Sequence, residues 1–248
     1  MSTTSDLFEQ KVANDLKKIG VPAYRPAANT ALADVAITSN ATPHGRVFME
    51  VKMSHTDNLS NPRVFFNGSK WETTYKTPVA KYAVDLLNGS QQWKKFHDEL
   101  KKFMNVKQIK LPTTRSGLKE PGAVPLHILK DFVENQRKNR YIHIEDNVDI
   151  GDLVTRHYLE GKAEPAFYLQ AGDDFYCIGN KDPLNINKGR KQKVPVLKGQ
   201  GDFKIRIATR SEFYEIQAEV KIKKMEPHVS PFSVLSESRK MNPFVIGT

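Results

Sequence analysis

Ala33-Asp34-Val35-Ala36-Ile37-Thr38, then Ser39-Asn40-Ala41-Thr42-Pro43-His44-Gly45, then Arg46-Val47-Phe48-Met49-Glu50-Val51-Lys52-Met53 is the stretch whose reading decides the fold. Two short strand-like runs flank a loop carrying Pro43 and Gly45, the pattern of a hairpin. Alternate residues of a strand share a face. The second run therefore sets Val47, Met49, Val51 and Met53 on one side and Phe48, Glu50 and Lys52 on the other. In the first run Val35 and Ile37 take one side, and Asp34, Ala36 and Thr38 the other. Pairing the runs brings Asp34, Glu50 and Lys52 onto one face. Two carboxylates and an ammonium beside an apolar sheet can hold a divalent cation and steady a phosphate.

Working outward, the preceding residues predict a helix over 7–19, capped by Ser5 or Asp6 and stopped by Gly20, with Pro22 beyond. At roughly 100° per residue, Phe8, Val12, Ala13, Leu16 and Ile19 form one apolar stripe. Glu9 falls inside that stripe, whereas Lys11, Lys17 and Lys18 lie outside it. A carboxylate on a buried face needs a partner or a metal; at the edge of the stripe it simply reaches water.

Asp34 followed by Glu50-Val51-Lys52 resembles the PD-(D/E)XK nuclease superfamily, which includes type II restriction endonucleases and archaeal Holliday-junction resolvases. Ala33 stands where that superfamily often has Pro. Glu9, one helix upstream, and Tyr24-Arg25-Pro26-Ala27-Ala28-Asn29, leading to Asp34, resemble the corresponding parts of the junction resolvases. The resemblance covers residues 5–53. It implies an α/β fold, a restriction-endonuclease-like mixed β-sheet of four or five strands. The helix of Glu9 lies on one face and later helices on the other, and a hairpin-rich C-terminal portion follows. It also implies Mg²⁺, with Mn²⁺ able to substitute, held by Asp34, Glu50 and the backbone carbonyl of Val51, with Glu9 completing the shell. Glu9, Asp34, Glu50 and Lys52 are then the catalytic set. Lys52 positions or activates the attacking water and stabilises charge on the scissile phosphate.

Composition fits that expectation. Lys and Arg outnumber Asp and Glu by 38 to 28, a net charge of +10, which suits a polyanionic partner. No aromatic-rich basic amphipathic helix argues for a membrane surface instead. No run approaches a membrane span, and residues 1–6 lack the regions of a signal peptide. The lone Cys177 excludes an internal disulfide or a Cys-rich zinc site and reads as a small core residue. A cytoplasmic protein of prokaryotic or phage origin, acting on double-stranded or branched DNA as a homodimer, is the expectation.

Beyond Met53 a polar loop holds His55 and Asp57, candidate extra ligands but more simply solvated residues. Residues 63–66 read as a strand. Lys70 and Lys76 interleave with Trp71 and Tyr75, suiting either DNA contact or a core helix face. Helices are expected over 77–87 and 90–104, both candidates to cover the sheet of Asp34. Pro112, Gly117, Pro121, Gly122 and Pro125 mark a linker over 105–125. It suggests a nuclease core over 1–110 and a C-terminal portion over 111–248 that completes the fold and contacts DNA. Helices over 126–135 and 150–160 flank a strand over 141–144. Residues 167–170 and 175–178 form a hairpin around Ala171-Gly172-Asp173-Asp174. The loop over 181–201 gathers Lys188, Arg190, Lys191 and Lys193, which with Arg25, Lys70 and Lys76 are the expected DNA contacts.

The same motif arithmetic recurs at Asp202 and Glu219-Val220-Lys221. Here Gln217, Glu219, Lys221 and Lys223 share one face, which reads as a solvated hairpin. The first copy also has its carboxylate-bearing helix, so the site is assigned there. Gly-x-Ser-x-Gly, His-Glu-x-x-His, phosphate-loop and dinucleotide signatures are missing. The reading is a metal-dependent DNA endonuclease of restriction-enzyme or phage-nuclease type. A structure-selective junction endonuclease and a non-catalytic DNA-binding protein of similar fold are the alternatives.

Overall fold

Thr3 opens the first helix, earlier than the caps at Ser5 or Asp6 expected from sequence. In the computed structural model α1 spans Thr4–Lys18. The Thr3 hydroxyl accepts from the Asp6 amide at 3.2 Å, and the Asp6 carboxylate accepts from the Thr3 amide at 2.7 Å. This reciprocal capping box satisfies two otherwise orphaned donors, which is why the helix starts there. The structure describes residues 3–26, 32–56, 58–66, 69–92, 141–210 and 213–245, together with 94, 95, 98 and 102.

The chain folds as two compact units, each interrupted in sequence. The first comprises Met1–Asp57, Asp149–Gln200 and Ile222–Thr248; the second comprises Asn58–Val148 and Gly201–Lys221. The cut expected between 110 and 111, the linker over 105–125 and the helix over 126–135 fall outside the described residues. So does most of the helix expected over 90–104.

In the first unit, Ala23–Tyr24 (β1), Val35–Thr38 (β2) and Arg46–Lys52 (β3) make an antiparallel meander. The expected hairpin forms with Val35 opposite Met49 and Ile37 opposite Val47. Extending that register places Asp34 at the level of Glu50. Beyond β3 comes Ala166–Ala171 (β8), parallel to it, with Glu50 beside Leu169 and Lys52 beside Ala171. Asp174–Cys177 (β9) closes the expected hairpin, giving the order β1-β2-β3-β8-β9.

The two faces of this sheet are covered differently. Val12, Ala13 and Leu16 of α1 pack on Val35, Ile37, Val47, Met49, Val51 and Tyr168. Phe232, Val234 and Leu235 of the C-terminal segment join the same core. Ile150–Glu160 (α3), with the bounds expected from sequence, lies against β8. Its apolar stripe of Ile150, Leu153, Val154 and Tyr158 is buried.

This corrects the expectation that the helix over 77–87 covers this sheet. A parallel neighbour strand is entered only after a crossover, and the helix directly preceding β8 makes it. Pro78–Gly89 (α2) belongs to the second unit. There, Thr77 caps it by accepting from the Ala80 amide at 3.3 Å.

The second unit holds most of a further sheet, with strands Asn58–Ser60 (β4), Arg63–Phe66 (β5), Trp71–Glu72 (β6), Tyr141–Asp149 (β7), Lys198–Arg210 (β10) and Phe213–Glu226 (β11). Their order is β6-β5-β11-β10-β7, with β4 paired to β11. Trp71 is buried, but in strand β6 and not on the helix face expected as its core reading, and Tyr75 is exposed. The solvated face read for the second motif copy is half wrong. Lys221 and Lys223 are exposed, but Gln217 and Glu219 are buried, with Arg206 bonded to Gln217 and 3.8 Å from Glu219. Alternation alone does not reveal that an arginine from the adjacent strand covers that end.

Candidate active site

Asp34, Glu50 and Lys52 converge at the open end of the β2–β3 hairpin. The Asp34 carboxylate accepts a hydrogen bond from the Val51 amide at 2.9 Å, which fixes it beside β3. Glu50, only 4% exposed, is close enough to His157 and Tyr158 of α3 for their charges to interact. The Lys52 ammonium is 3.1 Å from Glu50 Oε1, as a strand's two-residue period places it. Gly172, at φ +54°, turns β8 into β9 and donates its amide to the Lys52 carbonyl at 2.8 Å. That bond fixes the end of β3 where the lysine stands.

Electrostatics separate the two carboxyls. Burial, then the charge of Glu50, pushes the Asp34 carboxyl up to about 7. Burial also opposes ionisation of Glu50, but Lys52 and Lys162 overcome it and hold that carboxyl below its usual value. Lys162 Nζ stands 3.6 Å from Glu50 Oε2. That oxygen is buried and receives no hydrogen bond. Burial raises the carboxyl that lacks a close cation, and the lysines keep the other ionised.

Glu9 is at the margin of this group. Its carboxylate takes a hydrogen bond from Arg25 at 2.7 Å and one from Ser5 at 3.1 Å. Its charge still reaches Asp34 and adds slightly to that carboxyl's rise. The stripe carboxylate thus has the partner that burial demands, in Arg25. Arg25, read as a DNA contact, is also paired with Asp6, so its guanidinium is engaged from two sides.

Three residues of this neighbourhood escaped the sequence reading. Tyr158 and His157 sit on α3, and Lys162 follows its cap at Gly161. Burial lowers His157 to about 4, leaving it neutral, and its Nδ1 has no hydrogen-bond partner. Burial, then the charge of Glu50, holds the Tyr158 hydroxyl well above its ordinary value. The signal was available: His157 falls on the apolar stripe of a helix otherwise made of Ile150, Leu153 and Val154.

The other nominated residues are dispersed. His55 Nε2 lies 2.7 Å from Asp174 Oδ2 without making a hydrogen bond, and the residue is half-buried rather than merely solvated; Asp57 is outside the described residues. Lys70 and Lys76 are exposed in the second unit, Lys70 3.6 Å from Glu72. In the first unit Lys188, Lys191 and Lys193 are exposed, but Arg190 is not a free contact. Its guanidinium donates to the carbonyls of Ile186, Asn242, Pro243 and Val245 and stacks 5.5 Å over Phe232. Cys177 is buried, its thiol pushed up to about 12 by burial, as a core residue's would be. His143, Asp146 and Asp202 of the second unit form an acidic group close enough to share a cation, largely exposed. Among the described residues no helix is long and apolar enough to cross a membrane.

Comparison with protein-family models, with curated proteins and with solved structures finds no match.

Proposed function

We propose that this protein is a divalent-metal-dependent DNA endonuclease with a restriction-endonuclease-like core. The observation that carries the reading is Asp34 and Glu50 set side by side, with Lys52 on Glu50, at the end of one hairpin. Further support comes from α3, a helix that follows the catalytic strands and packs on their sheet, as in the PD-(D/E)XK superfamily. The net charge of +10 suits the substrate.

The residues fit a cation. A buried Glu50 oxygen lacks a hydrogen bond, and the charge of Glu50 opposes ionisation of Asp34. Asp34, Glu50 and the Val51 carbonyl would hold Mg²⁺ or Mn²⁺, and Glu9 would complete the set on release from Arg25. When bound, the cation supplies Lewis-acid polarisation of a phosphate oxygen. Lys52 orients the attacking water and faces the charge that grows on the phosphate. Water oxygen bonds to phosphorus, one ester P–O bond breaks, and the water's proton ends on the leaving oxygen.

The test is incubation of the pure protein with supercoiled plasmid, with and without Mg²⁺. Relaxed or linear product is expected only with the metal. Asp34→Asn and Glu50→Gln should each abolish it while DNA binding, measured in Ca²⁺, persists or tightens. Cleavage by either variant at the wild-type rate removes the assignment.

A further inference from the structure

Glu50 has two ammonium neighbours, one at each carboxylate oxygen. Lys52 stands on Oε1 at 3.1 Å and Lys162 faces Oε2 at 3.6 Å, their side chains 17% and 15% exposed. Lys52 comes from the motif strand, whereas Lys162 arrives from the loop beyond α3. The Lys162 ammonium also lies 5.7 Å over the Tyr158 ring.

The Lys162 contact differs in kind from a structural ion pair. Glu50 Oε2 accepts no hydrogen bond, so at 3.6 Å the lysine meets it through charge alone. Such a contact is lost readily when a stronger cation takes the oxygen. With Asp34 and Glu50 ionised and both lysines charged, the four groups are neutral together. A divalent cation then leaves the site with an excess of positive charge. That is the balance suited to a phosphodiester anion whose charge grows as water adds.

We propose that Lys162 is a second lysine of the active site. It pairs with Glu50 while the metal is away and turns to the scissile phosphate when the metal claims that carboxylate. This rests on the nuclease reading above. Lys162 therefore competes with the metal for Glu50 and assists the phosphate afterwards, two effects of opposite sign.

The experiment measures both effects on the full chain. Mn²⁺ affinity is read directly by calorimetry without DNA, and plasmid cleavage is read at saturating Mn²⁺. For Lys162→Gln, Mn²⁺ binding should tighten about tenfold, since removing a nearby like charge favours the cation. Cleavage should fall about a hundredfold, the usual loss of one transition-state contact. Lys162→Arg keeps the charge and should recover most of the lost cleavage, which separates a charge role from a packing role.

Weaker Mn²⁺ binding together with slower cleavage in Lys162→Gln marks a structural residue and overturns the proposal. So does unchanged cleavage, and so does an arginine variant as impaired as the glutamine one. The nuclease reading fails separately: in that case wild-type protein does not cut plasmid, and Glu50→Gln leaves Mn²⁺ binding unchanged.

Discussion

At the scale of single residues, Asp15 shows how a buried charge is held. It is 1% exposed on α1, between Lys11 and Lys18, each 2.7 Å away. It also accepts from the Ser236 amide and hydroxyl at 3.0 Å, so it ties the C-terminal segment to the first helix. Burial pushes its carboxyl up, but the two lysines and Ser236 overcome that and hold it well below the usual carboxylate range. A carboxyl depressed by folding contributes its stability above its unfolded pKa, about 3.9 for Asp. That contribution drains away as pH falls below that value. Asp15→Asn should therefore cost about 2–3 kcal/mol at neutral pH, the worth of charge-assisted bonds to a buried group. Urea denaturation should show the gap between variant and wild type closing as pH falls below 4. A gap that persists unchanged in acid would assign Asp15 a packing role instead.

Elements show what a sequence discloses and what it withholds. The β2–β3 hairpin, the β8–β9 hairpin and α3 were legible because each has a period and a punctuating turn within its own few residues. Asp34, Glu50 and Lys52 were legible for the same reason: two-residue alternation and one turn set their relation. Lys162 was not, because it reaches Glu50 only through the crossover of α3, and no local pattern encodes that meeting. The loop over 181–201 makes the same point in reverse. Its four basic residues look alike in sequence, yet Arg190 spends its donors on four backbone carbonyls of its own unit. Arg190→Ala should thus destabilise the fold by about 2–3 kcal/mol, as buried carbonyls lose a charged donor. If the protein binds DNA as proposed, the salt dependence of that binding, measured on folded protein, should stay as it was. A flatter salt slope would return Arg190 to the DNA-contacting set.

For the molecule as a whole, the excess of ten positive charges has to be placed on a surface. Lys188, Lys191 and Lys193 are exposed in the same unit as the candidate site, although Lys193 also donates to the Asn187 carbonyl at 2.6 Å. If they contact phosphates, changing all three to Ala should lower the slope of log affinity against log salt by about 0.9 per lost contact. Two unrelated duplexes, titrated in Ca²⁺, should weaken alike, because phosphate contacts carry no base information directly. An unaltered slope would move the grip to Lys70 and Lys76.

The interruption of the first unit bears on how the protein is made. Lys52 and its parallel neighbour Ala171 are joined by more than a hundred intervening residues, most of them belonging to the other unit. Pairing across so long a loop is slow and must wait for distant chain to exist. A growing chain carries its complete Asp34, Glu50 and Lys52 motif long before β8 and α3 leave the ribosome. During that interval the hairpin lacks its parallel neighbour, and the cover over Glu50 has not been synthesised. A ribosome-bound or prematurely terminated product would bear the motif without the enclosed carboxylate pair. The enclosed carboxylate pair therefore forms only once α3 and β8 have been made.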